Sequence, residues 1–385
     1  MKYYLIAGEA SGDLHGSNLM RGLYEQDPQA DIRFWGGGLM DQVYKAHQSG
    51  QGLVKDYREG AVLGFVEILL SARSLMKKIK FCQEDIMAWK PDVVVLIDYP
   101  GFNLRIAEFA HKAGFRVHYY IVPKVWASRE GRIAKLKEFV DRLFIVFPFE
   151  IPYFESKGVP VTYVGNPLID SVDSSPAMKE SRVSFLERTG IPDAPWITLL
   201  AGSRGHEIKA MMPVFMELAD IWHVTHPDYH FVIAGAPSRS AADYDLGDRS
   251  FVHLVFGETY GALHHGTAAV INSGTASLEA ALIGTPQVVG YRMAYGTYVM
   301  LKGMIKVKFI SLANLILDRS AFRELLQDYF TADNLSDELE RILTDSSYKA
   351  RMLADYAEIR RLLGGPGASS EAAWQIIADI SVERK

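Results

Sequence analysis

Residues 269–291 constrain the fold of this chain more than any other stretch. The apolar run Ala269 to Ile271 predicts a buried parallel strand, and residues 276–283 have the composition of a helix. The small residues Ser273 to Thr275 form a turn between them, and Gly284 to Pro286 ends the helix before another strand. A glycine turn between a strand and a helix start gathers free backbone N–H groups at the positive end of a helix dipole. This arrangement favours a bound anion.

Glu279 lies about one turn inside this predicted helix, where a carboxylate can accept hydrogen bonds from both hydroxyls of a ribose. A phosphate at Ser273, Gly274, Thr275 and Ala276, with the sugar one turn further on, describes a nucleotide. An ordinary strand–helix–strand connection with a solvated glutamate produces the same pattern. The neighbouring segments are therefore needed to distinguish a nucleotide site from a plain connection.

A second turn of this kind precedes the first one in the chain. Trp196 to Leu200 predicts a strand, and Gly202, Ser203 and Arg204 then place small residues and a guanidinium at the start of a predicted helix. Two anion-binding turns in one half of the chain are more than an α/β fold requires. Together they predict a site for a nucleotide diphosphate.

The length of 385 residues predicts two domains, because one hydrophobic core rarely grows that large. Gly165 to Leu168 interrupts the pattern, and residues 170–181, rich in Ser, Asp and Pro, predict a linker. The predicted domains are therefore residues 1–168 and 169–365. A last helix, residues 366–385, follows a glycine break and either returns to the first domain or exchanges with a second copy of the chain in a homodimer.

The composition narrows the class of protein. A net charge of −5 argues against a general nucleic-acid-binding protein. The single cysteine, Cys82, excludes a disulfide framework and a cysteine-based metal site, and it fits a reducing compartment. Because a predicted strand begins at Tyr3 and no apolar run reaches about 18 residues, we expect no signal peptide or membrane span and a cytoplasmic location.

The first predicted strand also leads into a glycine loop, although the loop does not match the dinucleotide-binding pattern. Polar side chains crowd this loop, and its glycines let the backbone pass close to a ligand. The candidate residues here are Glu9, Ser11, Gly12, Asp13 and His15. A plain helix-capping turn needs only one such polar residue, so a binding or catalytic loop is the alternative to a purely structural one.

Asp98 follows the most strand-like run of the chain, Val93 to Ile97, which is continuous and β-branched as in a parallel strand covered on both faces. The carboxyl ends of such strands are where open α/β sheets bind their ligands. A turn or helix-capping role is the alternative for Asp98. Since Pro100-Gly101 already makes the turn and Asn103 is the better placed cap, we favour a functional role.

One predicted helix combines an apolar half with a basic half. Residues 62–70 are apolar nearly all round, and residues 71–80 carry an arginine and three lysines. A half-buried core helix explains this pattern best by itself. The same pattern suits contact with anionic lipid.

Six motifs, which fall in the family's order and cover nearly the whole chain, resemble those of the lipid-A-disaccharide synthases. The motifs are Gly8 to Asp13, Leu63-Gly64 with Glu67, Ile97 to Asn103, Pro123 with Val125 to Ala127, Gly202 to Arg204 with Glu207-Ile208, and Ser273 to Ala276 with Leu278-Glu279. The resemblance implies the GT-B fold, an α/β architecture of two Rossmann-like domains whose parallel sheets face each other across a cleft. The first domain would bind the acceptor and the second the UDP-sugar.

The resemblance further implies an inverting transfer of 2,3-diacylglucosamine from UDP to 2,3-diacylglucosamine 1-phosphate. The products would be a β-1,6-linked lipid A disaccharide 1-phosphate and UDP, with no metal or other cofactor. Since both substrates carry acyl chains, the apolar helix gains a second purpose, in chain binding or in peripheral contact with the cytoplasmic membrane.

Inversion needs a base for the proton of the attacking hydroxyl and positive charge for the departing diphosphate. We expect Asp98 to be the base, with Asp13 and His15 as rivals. The remaining expectations are Arg204 with the N–H groups of Ser203 and Thr275 at the diphosphate, Glu279 at the ribose, Asn314 and Gln327 (in a predicted helical stretch) at the donor, and Glu9, Ser11, Gly12 and Glu67 at the acceptor.

Two other functions compete with this interpretation. Another GT-B enzyme of UDP-sugars, such as a UDP-N-acetylglucosamine epimerase, would act on a soluble substrate and leave the apolar helix without purpose. A non-catalytic protein that binds UDP-sugars or lipids would bind UDP but release none from a donor. The polar first loop argues against this second alternative.

Overall fold

The computed structural model describes residues 1–59, 67–127, 130–272, 274–293 and 308–382, with the side chains of the helix Glu67–Trp89 from residue 74 onward. Two compact units are formed by Met1–Pro167 with Pro366–Lys385 and by Leu168–Gly365. In the ranges just given, no helix has both the length and the apolar character needed to cross a bilayer.

The first unit is built on a parallel sheet that has seven strands in the described part of the chain. These are β1 (Lys2–Ala7), β2 (Asp31–Gly36), β3 (Leu53–Asp56), β4 (Val93–Ile97), β5 (Arg116–Tyr120), β6 (Arg142–Ile145) and β7 (Thr162–Tyr163), in the order β3-β2-β1-β4-β5-β6-β7. The connecting helices are α1 (Ala10–Gln26), α2 (Gly38–His47), α3 (Glu67–Trp89), α4 (Pro100–Lys112), α5 (Arg132–Phe139) and α6 (Glu150–Ser156).

The strand order reverses at the centre of this sheet. β1 pairs with β2 on one side and with β4 on the other, so the chain winds outward in both directions from the β1–β4 pair. All five residues of β4 are buried, as its continuous apolar sequence predicts. The loops that follow β1 and β4, residues 8–9 and 98–99, therefore lie side by side at the switch point where such sheets bind ligands.

The last helix, which we name α15 (Ala368–Val382), packs against α1 of its own chain. Gly22 permits the close approach, because a Cβ there would lie 3.1 Å from the Ala373 Cβ and from the Ser369 carbonyl oxygen. The Gln26 side-chain amide also donates to the carbonyl oxygen of Ser370 at 2.9 Å. Within this one chain the helix thus packs on the first unit.

The second unit is built on a parallel sheet with six strands among the described residues. They are β8 (Trp196–Leu200), β9 (His230–Gly235), β10 (Val252–Phe256), β11 (Ala268–Asn272), β12 (Gln287–Tyr291) and β13 (Glu324–Leu326), in the order β10-β9-β8-β11-β12-β13. The helices are α7 (Pro167–Asp173), α8 (Arg182–Thr189), α9 (Gly205–Thr225), α10 (Thr259–His265), α11 (Thr275–Ile283), α12 (Leu312–Leu317), α13 (Ala332–Thr344) and α14 (Ser346–Leu363).

The switch point of the second sheet lies between β8 and β11, which pair directly. The two predicted anion-binding turns follow these two strands, so they are neighbours in space although about 70 residues separate them in sequence.

Two local predictions were wrong. Residues 170–181 are not a plain linker, because α7 extends to Asp173 and a short 3-10 helix covers Pro176–Met178. The buried side chains of Ile169 and Val172 give α7 an apolar face that the polar composition hides. Gln327 is not in a longer helix either: it follows the edge strand β13, whose pairing with β12 overrides the helical preference of Glu-Leu-Leu.

Candidate functional site

Asp98 lies where the sequence places it, directly after β4. Asp98 and Tyr99 both have left-handed backbone conformations, with φ of 43° and 48°. The Asp98 carbonyl oxygen accepts hydrogen bonds from the Tyr119 hydroxyl at 2.5 Å and from the Asn103 amide at 2.8 Å. Consecutive non-glycine residues in this conformation cost free energy that the surrounding contacts must supply, and such strain concentrates at functional sites.

The Asp98 carboxyl is electrostatically suited to accept a proton. Its burial and the nearby charge of Glu9 raise its pKa above the usual value, and the Lys124 ammonium opposes this rise. A carboxylate with a raised pKa binds a proton more tightly than an ordinary aspartate and is therefore a stronger base.

The loop after β1 is held against Tyr99. A Cβ on Gly8 would lie 2.2 Å from the Tyr99 ring, so only glycine fits between strand and ring. Glu9 and Ser11 are exposed beyond it, and the Ser11 hydroxyl donates to the Glu9 carboxylate at 3.2 Å. Gly12 is buried against Ala7. The structure thus brings Glu9 and Asp98, from two loops of the first unit, into electrostatic contact.

Asp13 caps the start of another helix, α2. Its carboxylate accepts the N–H groups of Gly37 at 2.8 Å and of Leu39 and Met40 at 3.0 Å each, and the residue is buried. These bonds satisfy the first N–H groups of α2. A structural role therefore accounts for this aspartate.

His15 lies on the same helix as Asp13. Burial lowers its pKa to about 4, so the ring is neutral at physiological pH. Its Nδ1 is buried and has no hydrogen-bond partner in the part of the chain that the structure describes. A neutral histidine can accept a proton, but one with so low a pKa is a weak base.

Two charged residues beside this site were not predicted from the sequence. Glu150 is fully buried; its carboxylate accepts the Trp126 indole N–H at 2.9 Å and the Phe147 N–H at 3.1 Å, and burial raises its pKa to about 7. Lys124 interacts electrostatically with both Glu150 and Asp98. Both residues look like ordinary surface charges in the sequence; the neighbouring motif at Pro123 and Val125 to Ala127 was the only available signal.

In the second unit, the turn after β8 already holds an anionic group. The N–H groups of Ser203 and Arg204 both donate to Oε2 of Glu207 at 3.1 Å, and the Arg204 guanidinium donates to Oε1 at 3.2 Å. Gly202 has φ of 96°, and a Cβ there would lie 2.6 Å from Oε2 of Glu207. The exposed turn thus binds a carboxylate through the same groups that would bind a phosphate.

The neighbouring turn after β11 opens the helix α11. Asn272 ends the strand and donates to the Ala201 carbonyl oxygen at 3.3 Å, which ties the two turns together. Gly274, Thr275 and Ala276 are all accessible to solvent at the helix start, whereas Ser273 lies outside the described residues. The Ser277 hydroxyl donates back to the Gly274 carbonyl oxygen at 2.9 Å.

Glu279 lies one turn inside α11, as predicted, and is half-buried. Its Oε1 accepts the Tyr260 hydroxyl at 2.8 Å. Burial raises the pKa of the Glu279 carboxyl, and the bond from Tyr260 partly offsets this rise.

Two of the other predicted residues make hydrogen bonds within the protein. Asn314 is buried, and its amide bonds the Phe322 carbonyl, the Ala321 N–H and the Glu324 carboxylate. Gln327 bonds the N–H and the carbonyl oxygen of Met293. Both amides therefore brace the chain. Glu67 begins α3, and its side chain is not among those described. Residues 62–66 of the predicted apolar half, with the Leu63-Gly64 motif, lie outside the described residues.

Comparison with known proteins supports the predicted family. The sequence profile of the family described as Lipid-A-disaccharide synthetase matches residues 3–375. The lipid-A-disaccharide synthase of Geobacter metallireducens is 35% identical over 384 residues, which cover 99% of this chain and 97% of that protein. That of Myxococcus xanthus is 36% identical over 379 residues, covering 97% and 96%.

The fold is shared more widely. The structure of the Methanocaldococcus jannaschii UDP-GlcNAc 2-epimerase in complex with UDP-GlcNAc and UDP has a TM-score of 0.67 at 13% identity and covers 98% of this chain and 99% of that one. An identity this low shows the GT-B fold alone, so the fold class predicted from sequence is confirmed and the epimerase alternative gains no support. The profile match over nearly the whole chain and the full-length relatives instead confirm a UDP-sugar glycosyltransferase, and the chain belongs to the lipid-A-disaccharide synthase family.

Proposed function

We propose that this enzyme transfers 2,3-diacylglucosamine from UDP to the 6-hydroxyl of 2,3-diacylglucosamine 1-phosphate. The hydroxyl oxygen attacks the anomeric carbon, the bond from that carbon to the diphosphate breaks, and the hydroxyl proton passes to a base. The products are the β-1,6-linked disaccharide 1-phosphate and UDP. The observation that carries this proposal is the strained, partly buried Asp98 with its raised pKa at the switch point of the first sheet.

Asp98 is the base in this proposal. Asp13, the first rival, has its carboxylate committed to three backbone N–H groups. His15, the second rival, is neutral but has its pKa lowered to about 4. Asp98, in contrast, combines partial exposure, a raised pKa and a backbone held in place by hydrogen bonds.

The second unit binds the UDP part of the donor. Arg204 and the N–H groups of Ser203 and Thr275 stabilise the diphosphate as it gains charge, and Gly202, Ser273, Gly274 and Ala276 let it approach the backbone. The diphosphate replaces the Glu207 carboxylate on the first turn, which the exposure of Arg204 makes accessible. Glu279 accepts the ribose hydroxyls. Asn314 and Gln327 serve the donor site through the segments that they brace.

The acceptor binds to the first unit, at Glu9, Ser11, Gly12 and Glu67. The acyl chains of both substrates lead us to propose peripheral contact of α3 with the cytoplasmic membrane surface. Along this helix Met76 and Phe81 expose 58% and 47% of their surface beside the exposed Lys77 and Lys80. Exchange of α15 between two copies would keep its contacts with α1 and give a homodimer.

The experiment that tests the reaction measures UDP release from UDP-diacylglucosamine with and without the acylated sugar phosphate. Release that depends on the acceptor supports transfer. Retention of UDP with interconversion of the sugar would indicate an epimerase, and binding without any release a non-catalytic protein.

The same assay tests the base. Asp98→Asn should lower kcat by about 10²–10⁴-fold while the Kd for UDP stays nearly the same, because the mutation removes proton transfer and leaves the nucleotide site intact. Asp92→Asn is the matched control: Asp92 precedes the opposite end of β4, where it accepts the Lys2 N–H at 2.8 Å. Normal turnover of Asp98→Asn would remove Asp98 from the role.

A further inference from the structure

Tyr260 is the one partner of the Glu279 carboxylate among the described residues. Its hydroxyl donates to Oε1 at 2.8 Å. A carboxylate offers four lone-pair positions, so this bond leaves Oε2 and part of Oε1 to accept other donors. Both residues keep part of their surface exposed to solvent, so the pair is not sealed inside the core.

The helix that carries Tyr260 is fixed from several sides. The Ala262 carbonyl oxygen accepts both the Trp196 indole N–H at 3.0 Å and the Thr198 hydroxyl at 2.6 Å. The Leu263 carbonyl oxygen accepts the Thr285 hydroxyl at 2.9 Å. All three donors lie outside α10. The helix is therefore anchored to the sheet and to the end of α11 independently of Tyr260.

The packing of α10 adds to this anchoring. A Cβ on Gly261, the residue after Tyr260, would lie 2.4 Å from the ring of the buried Phe185. The helix backbone therefore rests directly on an aromatic ring. With so many backbone contacts, α10 does not need the Tyr260 hydroxyl for its own position.

Glu279, in contrast, has a side chain with three rotatable bonds on the accessible face of α11. The bond from Tyr260 selects one orientation of its carboxylate. A fixed donor that orients a flexible acceptor is the arrangement by which a supporting side chain pre-organises a binding group.

We propose that Tyr260 is a positioning residue for the nucleotide site: it holds Glu279 in the orientation that receives the ribose hydroxyls of a uridine diphosphate. This rests on the proposed ribose contact of Glu279. Burial and the Glu279 charge raise the pKa of the Tyr260 hydroxyl well above its usual value, so the hydroxyl is protonated at neutral pH and can donate this bond.

The test compares the affinities of UDP and 2′-deoxy-UDP by calorimetry. In the wild type, UDP should bind about 10-fold more tightly, since the 2′-hydroxyl donates to a carboxylate. Tyr260→Phe should weaken UDP binding by about 5- to 20-fold and 2′-deoxy-UDP binding much less, so that the preference for the ribose largely disappears. The kcat at saturating donor should change little.

Tyr348→Phe is the matched control. Tyr348 donates to Glu338 at 2.5 Å between α14 and α13, and neither helix carries a residue of the proposed site. This variant loses the same atom from the same kind of pair and should keep the full preference for UDP.

Glu279→Ala, which removes the acceptor, separates the two failures. If Glu279→Ala keeps the preference for UDP, Glu279 does not hold the ribose, and the proposed nucleotide contact falls together with the role of Tyr260. If Glu279→Ala loses the preference but Tyr260→Phe keeps it, the ribose contact stands and the positioning role is refuted. A loss of affinity by Tyr260→Phe that is equal for both ligands would likewise refute positioning. Melting temperatures of all variants establish that each is folded.

Discussion

Replacement of Asp13 by alanine should destabilise the first unit rather than abolish chemistry. The carboxylate accepts three backbone N–H groups of the segment that begins α2, at distances of 2.8 to 3.0 Å. Gly37 makes room for it, since a Cβ there would lie 2.7 Å from Oδ2 of Asp13. Asp13→Ala removes the acceptor while these amide groups stay in place.

The size of the effect follows from the burial of those groups. The bonds from Gly37 and Met40 are buried, whereas the Leu39 N–H lies closer to solvent and can turn to water. A buried N–H left without a partner costs ~1–3 kcal/mol, and an exposed helix cap is worth only about 1 kcal/mol. We therefore expect the free energy of unfolding to fall by about 3 kcal/mol, or the Tm by about 6–12 °C for a unit of this size.

Scanning calorimetry of the whole chain, with the two units resolved as separate transitions, measures this shift. Asp41→Ala is the control on the same helix: its ion pair with the exposed Lys45 should contribute at most about 0.5 kcal/mol. The kcat of folded Asp13→Ala, measured well below its Tm, should fall by much less than the ~10²-fold that loss of a base costs. An unchanged Tm with turnover reduced to that extent would make Asp13 the base and refute the cap.

Two further predictions concern other surfaces of the first unit. The bonds from His118 and Arg142 hold the pKa of Asp379 well below its usual value. Its contribution to stability is therefore full at neutral pH and is lost as the pH falls from that usual value through the lowered pKa. Asp379→Asn should accelerate hydrogen exchange of α15 at pH 7 by about 30-fold. Unchanged exchange would show that the Asp379 bonds do not hold this helix in place. Met76→Ser with Phe81→Ser should weaken binding to phosphatidylglycerol vesicles by about 10-fold. Val224→Ser, at an 82% exposed position of the second unit, should leave vesicle binding unchanged. Equal binding by both variants would show that α3 has a purely structural role.

The fold could be predicted from the sequence because the apolar pattern of its central strands is local and strong. A parallel strand buried on both faces must be apolar throughout, and Val93–Ile97 is such a strand. Residues that follow these strands are therefore placed correctly without knowledge of the packing, as with Asp98 and the two turns of the second unit. Where local preference and packing disagree, as at Gln327, the prediction is wrong because strand pairing decides.

The hydrogen-bond partners of several candidate residues could not be predicted from the sequence, because these partners lie far away in the chain. Asp13 meets an amide 24 residues on, and Tyr260 meets Glu279 across 19 residues. Neither distance is encoded in a local pattern. The sequence shows that Asp13 is polar and near a loop, which suits a cap and a base equally well, and only the fold distinguishes them.

Glu207 is an intermediate case between residues that a local pattern places correctly and partners that only the fold reveals. Its contact with Ser203 and Arg204 spans only three or four residues, yet the usual capping signature has Ser or Thr at the first position and this chain has Arg204. The carboxylate shows that this turn binds an oxyanion through two N–H groups and a guanidinium. A diphosphate in its place, as we propose, would make the same hydrogen bonds with more negative charge opposite Arg204, at the positive end of the 21-residue helix α9. In the proposed complex the two N–H groups and the guanidinium would keep hydrogen-bond partners, so the added charge would favour the diphosphate, and Glu207 would hold the shape of the turn until the nucleotide binds.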